Sequence, residues 1–274
     1  MKLLAIFAHP DDEVFSCGGT LARYADEGHQ VSLICATRGE EGEIVHPDME
    51  PNSYPKGPER GLLRVDELAA TCKALGISPP IFLDYQDSGF PIEVGLQNPQ
   101  AFMNADIFKI EEKILDRIGS IHPEIIITFD PHGMYGHIDH ITIHRAALAA
   151  FWSAGSVMQP APQRLYYPVR TITQMEEMER KFAGSSNSDL DPNIFGVSDD
   201  SICAQIDISR YADRKRLGVY AHRSQFGTEE HINELLDGRP DFFRFETFVL
   251  GGARGGFPAD RLNDLFDGVG QQYS

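Results

Sequence analysis

Residues 2–13 read Lys-Leu-Leu-Ala-Ile-Phe-Ala-His-Pro-Asp-Asp-Glu, an unbroken apolar run from Leu3 to Ala8 that stops at His9-Pro10-Asp11-Asp12-Glu13. Branched and small apolar residues without alternation are the pattern of a parallel strand buried on both faces. In open α/β sheets, ligands bind beyond the C-terminal ends of the strands. An imidazole and three acids at that point therefore predict metal-ligand chemistry there. A plainer reading makes Asp11 or Asp12 the N-cap of a following helix and Glu13 a first-turn acid. That reading accounts for one acid and leaves His9 beside two others without a role.

Outward from this stretch, strand-like and helix-like patterns alternate. A helical stretch over Gly18–Gly28 ends at glycine, and a second apolar strand, Val31–Ala36, runs into Thr37-Arg38-Gly39-Glu40. A polar, Pro- and Gly-rich loop over Glu41–Pro58 is long enough to predict a functional or mobile segment. Next come a helix from Glu59 to Leu75, a short strand at Ile81–Asp84, a helix over Phe102–Ile121, a strand at Glu124–Phe129 and a helix over Ile138–Trp152. This rhythm predicts an α/β fold: a Rossmann-like, mostly parallel sheet with helices on both faces and the site at the strands' C-terminal ends. Beyond residue 160 the pattern loosens. Leu165–Val169 and Phe242–Val249 read as strands, Asp191–Val197 as loop, and Ile206–Tyr220 leads into Ala221-His222-Arg223-Ser224-Gln225. The expectation is one domain over residues 1–274, with a Rossmann-like core at 1–160 and a C-terminal lobe at 161–274 packed on the same core.

Composition narrows the function classes. The chain has 274 residues, 42% hydrophobic and 24% charged, with a net charge of −17. That balance suits a globular protein and argues against nucleic acid or an anionic membrane surface as partner. A homo-oligomer is compatible with it. Four cysteines, Cys17, Cys35, Cys72 and Cys203, form no CxxC pair, so neither a zinc knuckle nor a disulfide framework is predicted. No basic leader precedes the first strand, and no apolar run approaches the ~20 residues of a membrane span. A cytoplasmic protein is expected.

A second cluster follows the strand at Glu124–Phe129: Asp130, His132, Tyr135, His137, Asp139, His140 and His144. It too lies at the C-terminal end of a parallel strand, so the two clusters should face each other across the top of the sheet. A hydrolytic zinc site needs three nitrogen or oxygen ligands and one open position. His9 and Asp12 with His140 would supply them, leaving Asp11 as a free base and His137 as a second acid–base group. His140 and His144, one helical turn apart, form a rival pair. The plainer reading of His144 is a helix-surface or lightly packed residue. His29, His46, His122 and His231 lack such context and read as structural or solvated.

The segments AHPDDE (residues 8–13) and GHIDH (136–140) resemble the two signatures of the PIG-L/LmbE superfamily of zinc-dependent de-N-acetylases. The resemblance extends to Cys17-Gly18-Gly19-Thr20-Leu21-Ala22, to Thr37-Arg38-Gly39-Glu40, and to Arg64 and Glu67 followed by Leu75-Gly76. Asp87-Ser88-Gly89 is similar to a segment of the mycothiol-pathway branch, and Ala221-His222-Arg223-Ser224-Gln225 to a late HxSQ motif. One departure is Ile138 where the family usually has proline, which would only pre-set the first helical turn. Met134, often glycine, is expected to narrow the pocket near Tyr135.

The resemblance implies one Zn2+ per chain, or Fe2+ in its place, held by His9, Asp12 and His140. Asp11 corresponds to the general base, His137 to a group that polarises or protonates at the reacting amide, and Asp139 to the acid that orients His137. Tyr135 matches a tyrosine that reaches the developing oxyanion. Arg64, Asp87 and Ser88 match substrate-binding positions. The substrate implied is a small-molecule N-acyl amino sugar of N-acetylglucosaminyl type. Alternatives are an amidase acting on a glucosaminyl-inositol thiol conjugate and a metal- or sugar-binding protein without catalysis. Arg64 and Glu67 also fit an ordinary i, i+3 surface pair, and His222 a residue that closes the core. A nucleotide-binding oxidoreductase is disfavoured, because HPDDE stands where a GxGxxG turn would cradle phosphate.

Overall fold

The opening apolar run forms β1 (Lys2–Phe7), and Leu3 to Phe7 are fully withdrawn from solvent. In this computed structural model, which describes residues 1–181, 190–237 and 240–270, six further strands join it in one sheet. They are β2 (Gln30–Cys35), β3 (Ile81–Phe82), β4 (Ile125–Thr128), β5 (Arg164–Val169), β6 (Ala204–Asp207) and β7 (Phe245–Ala253). The order is β3-β2-β1-β4-β5-β7-β6; the first five strands are mutually parallel, and β7 runs antiparallel to both β5 and β6. Leu3 of β1 stands between Val31 and Ile125, and Ala5 between Leu33 and Ile127, so branched apolar residues flank the central strand at these positions. The strands beyond residue 160 extend the same sheet.

From β1 the chain steps outward to β2 and β3; from β4 it steps the other way to β5. Right-handed crossovers then place the connecting helices on opposite faces. Accordingly, α1 (Asp12–Asp26), α2 (Pro58–Leu75) and the Ala212–Ala221 helix pack together, while the Ile107–Ile121 helix packs on the Ile138–Val157 helix. No helix among the described residues is long and apolar enough to cross a membrane. Cys17, Cys35 and Cys72 are buried, and all four thiols are free.

Several boundaries differ from expectation, each for a local reason. The stretch read as helix from Phe102 opens with a single tight turn, Phe102–Asn104, and the helix starts only at Ile107, where the Asp106 carboxylate accepts from the Phe108 N–H at 3.0 Å. Asp191–Val197, read as loop, contains a short helix, Pro192–Phe195, capped by Asp191. The Ser- and Asn-rich stretch just before it, 182–189, lies outside the described residues. β6 was not foreseen, and β7 begins later and runs longer than expected, to Ala253.

The largest departure concerns α1. It starts at Asp12 rather than Gly18, but its helical geometry breaks at Cys17 (φ −156°, ψ 27°). A fresh helical N-terminus therefore opens at Gly18, and its N–H groups need acceptors. Glu246 of β7 supplies them, accepting from Gly19 at 2.9 Å and Thr20 at 2.7 Å. The Lys215 ammonium lies 2.8 Å from the same carboxylate and donates to the Phe242 carbonyl at 2.8 Å. Lys215 is 1% exposed. Glu246→Ala is expected to destabilise the fold by about 3–5 kcal/mol, because it leaves that buried ammonium unpaired; urea unfolding of the variant measures it.

Candidate active site

β1 and β4 are neighbours whose connections depart in opposite directions, the point in an open sheet where a crevice forms beyond the strand ends. His9 to Glu13 leave β1 there, and Asp130 to His140 leave β4. Asp87 and Ser88 follow β3, and Gly39 follows β2, so all four loops converge.

Hydrogen bonding fixes the tautomers of two histidines. His9 Nε2 lies 3.2 Å from Asp139 Oδ2 and 3.4 Å from Asp87 Oδ1, so Nε2 carries the proton and Nδ1 presents its lone pair. His140 Nδ1 donates to the Gly133 carbonyl at 3.1 Å, and its Nε2 presents a lone pair. These two lone pairs are 3.2 Å apart, and the Asp12 carboxylate lies 3.2 Å from His140 Nε2 and 3.5 Å from His9 Nδ1. Two ring nitrogens and a carboxylate thus face one point, an arrangement that a cation satisfies, whether a proton on His9 Nδ1 or a metal ion that takes its place. Tetrahedral zinc with bonds of ~2.0–2.2 Å spaces its ligand atoms about 3.3–3.6 Å apart, so His9, Asp12 and His140 could hold one with little rearrangement. Burial alone would lower the His9 pKa, but the carboxylates of Asp87, Asp12 and Asp139 outweigh it and raise it well above the ordinary value. Burial would raise Asp12, yet His140 and His9 hold it well below the carboxylate range.

Two other groupings bring ligand atoms close: His9 with His137 and His140, and His9 with Asp87 and Asp139. In the first, His137 Nδ1 accepts from the Asp139 N–H at 3.2 Å, capping the Ile138–Val157 helix. Its proton therefore sits on Nε2, which makes it a donor and not a ligand. The second grouping is built around the protonated nitrogen of His9. His144 is turned away altogether: it is 5% exposed, and its Nδ1 bonds the Phe129 carbonyl at 2.7 Å. The expectation of a surface or lightly packed His144 is corrected by that burial.

Asp11 stands beside the triangle without joining it. Its backbone adopts φ 111°, ψ −25°, and its side chain makes no capping bond to α1. Arg64 Nη2 donates to Asp11 Oδ2 at 2.9 Å. Burial pushes the Asp11 pKa up to about 6 even though Arg64 pulls the other way. Arg64 is 3% exposed and also donates to the carbonyls of Gly39, at 2.9 Å, and Pro10. At Gly39 (φ +68°) a Cβ would fall 1.9 Å from Arg64 Nη1, so the Thr37–Glu40 turn needs glycine to admit the guanidinium.

Four of the residues singled out in the sequence are engaged within the fold. Arg64 is not a surface partner of Glu67: its guanidinium donates to Asp11 and two carbonyls, and Glu67 accepts instead from the N–H and hydroxyl of Ser224. Asp87, expected at the substrate, is 5% exposed and turned to His9 and to the Gly89 N–H. Ser88, also expected there, is 1% exposed; its N–H donates to Asp139 Oδ2 at 2.9 Å and its hydroxyl accepts from the Met103 N–H. Asp139 meets His137 through its backbone N–H and not through its acid: its position in the first helical turn aims the carboxylate at His9.

His137 is 7% exposed, and burial together with the charges of His9 and His140 lowers its pKa to about 3, so it stays neutral. Tyr135 is 40% exposed, with its ring 5.0 Å from that of His140 and 6.1 Å from that of His137. It sits on a kinked turn where Met134 has φ 65° and donates its N–H to Asp130 Oδ1 at 2.8 Å. Met134 lines a cleft with Phe15, Ser16, Asp130 and Phe195 along this loop. Glu13, expected as a first-turn acid, and His222, expected to close the core, are both buried and bond each other at 2.8 Å, a pairing that no sequence spacing indicates.

The PIG-L family pattern, described as GlcNAc-PI de-N-acetylase, matches residues 4–151, which hold every residue of the convergent loops. The chain belongs to the PIG-L family of de-N-acetylases. Two relatives of this PIG-L protein carry the name 1D-myo-inositol 2-acetamido-2-deoxy-alpha-D-glucopyranoside deacetylase. The one from Salinispora arenicola is 32% identical over 98% of this chain and 91% of its own length, and the one from Saccharomonospora viridis is 35% identical over 97% and 100%. Among solved structures, the N,N'-diacetylchitobiose deacetylase from Pyrococcus horikoshii superposes with a TM-score of 0.59 at 19% identity, covering 91% of this chain and 83% of its own. That last likeness is one of fold.

Proposed function

We propose that this PIG-L protein hydrolyses the acetamide of an N-acetylglucosaminyl-inositol, releasing acetate and the free amine, with a single zinc ion held by His9, Asp12 and His140. The observation that carries this reading is the pair of imidazole lone pairs aimed with a carboxylate at one point, and an uncoordinated acid, Asp11, standing next to them. A zinc ion bound there would supply a Lewis acid that polarises the acetamide carbonyl and brings the pKa of water toward ~7. Asp11 takes the proton of the attacking water; with a pKa of about 6 it is ionised at neutral pH and still basic enough to accept. Arg64 holds that carboxylate in place. The same Asp11, once protonated, is placed to hand the proton to the leaving amine. His137 donates its Nε2–H to the oxygen that gains charge as the amide carbon becomes tetrahedral, and as a neutral imidazole it remains a donor throughout. Tyr135, exposed on its kinked turn, is a second donor toward that oxygen. The relatives' names carry the choice of inositol glycoside as substrate.

The test is elemental analysis of the purified protein together with acetate release from N-acetylglucosaminyl-inositol, with and without chelator. A bound metal and release that chelator abolishes and metal restores are the expected results. Release that survives complete metal removal would overturn the reading.

A further inference from the structure

The late motif, Ala221-His222-Arg223-Ser224-Gln225, contributes nothing to the metal triangle, yet its polar groups reach the site loops. Ser224 holds Glu67 of α2, and Gln225 donates to the Glu43 carbonyl at 2.8 Å. His222 reaches furthest. It is fully buried, with Nε2 2.8 Å from Glu13 Oε1 and 3.0 Å from Thr71 Oγ1. The Thr71 hydroxyl donates to the Gly218 carbonyl at 3.1 Å, so its oxygen accepts and His222 Nε2 must carry the proton. Glu13, 1% exposed, uses its other oxygen to accept the backbone N–H of Asp11 at 3.0 Å.

That N–H belongs to the residue with the unusual backbone, φ 111° at a non-glycine. Such a conformation persists only where the surroundings over-determine it. The Asp11 side chain makes no capping bond; Arg64 holds its carboxylate and the Pro10 carbonyl of the preceding peptide, and the Asp11 carbonyl accepts from the Val14 N–H at 3.2 Å, so the bond made to the Asp11 N–H itself is the one from Glu13. An imidazole and a carboxylate buried together cost desolvation that an apolar pair would avoid, and what they supply in return is direction: two oxygens of one carboxylate, each aimed at a different element.

We propose that His222 and Glu13 form a clamp that holds the backbone of Asp11 so that its carboxylate meets Arg64 beside the metal triangle; His222 is thus a positioning residue supplied by the C-terminal part of the chain. The proposal rests on Asp11 being the base. Glu13→Gln keeps the shape but offers a single acceptor for two donors. His222→Leu removes the donor, whereas His222→Gln restores an N–H near the position of Nε2. Glu13→Gln and His222→Leu are expected to keep their metal and their KM while kcat falls by up to about 10²-fold, the cost of a slightly misplaced catalytic group. His222→Gln should recover most of the loss. A crystal structure of metal-free Glu13→Gln should show Asp11 relaxed to negative φ with its carboxylate away from Arg64. If Glu13→Gln does not fold, the His222→Leu and His222→Gln pair is read in the same way.

The clamp is overturned if a folded, metal-loaded variant keeps its kcat, if kcat falls only in proportion to metal content, or if His222→Gln is no better than His222→Leu. The backbone of Asp11 in the variant structure reports on the clamp even if Asp11→Asn retains full activity, in which case the base assignment alone would fail.

Discussion

Asparagine in place of Asp11 is expected to lower kcat by about 10²–10⁴-fold, the range typical of general acid–base catalysis, with metal content unchanged. The substitution preserves shape and still offers an oxygen to Arg64 Nη2, which lies 2.9 Å from the present carboxylate. It removes only the ability to take a proton. Because the Asp11 side chain stands outside the His9–Asp12–His140 triangle, nothing in the ligand geometry should change, and KM should move little. Initial rates of acetate release, paired with elemental analysis of the same sample, make the measurement. Metal loss equal to the activity loss would show that Asp11 is a ligand and that the division of labour between adjacent aspartates is wrong.

Asp12→Ala has the opposite signature: activity disappears because the metal does. Asp12 contributes the one carboxylate in the triangle and also accepts the backbone N–H of His9 at 2.7 Å, so on the proposed ligand set its loss removes one ligand and loosens another. The protein purified from this variant should be metal-free, and added metal should restore activity poorly. Asp139→Ala supplies a graded comparison. It leaves all three ligands but frees His9 Nε2 from its nearest carboxylate, and loss of such a supporting partner typically weakens metal affinity by about 10–100-fold. Competition against a chelator of known affinity ranks the two variants, and stoichiometric metal in Asp12→Ala would refute the ligand set.

The sheet was legible because its central strands are continuous apolar runs. Leu3–Phe7 and Ile125–Thr128 are buried on both faces, and a run of that kind has little else to form. The antiparallel edge was harder: β6 is four residues long, and β7 owes its length to glycines, Gly251 and Gly252, packed against Tyr167 and Phe151, where pattern carries no signal. At the site, the meeting of the two loops followed from strand-end placement alone. The aim of the side chains did not. The resemblance implies that the Asp139 acid orients His137, but the His137 ring takes the Asp139 backbone N–H and the Asp139 carboxylate turns to His9. Arg64 and Glu67 share the i, i+3 spacing of a surface pair; their burial comes from Gly39 and Ser224, which no local pattern links to them.

The break in α1 gives the molecule a particular history during synthesis. The first motif is translated well ahead of β7, yet the N–H groups that open the second half of α1 find their carboxylate at Glu246 of that strand. Until β7 is made and paired, the turn that carries Asp11 and Asp12 lacks the anchor behind it. The loop of the first motif is therefore finished only once β7 is in place, and a nascent chain stalled before Phe245 would display the three proposed metal ligands without the frame that aims them.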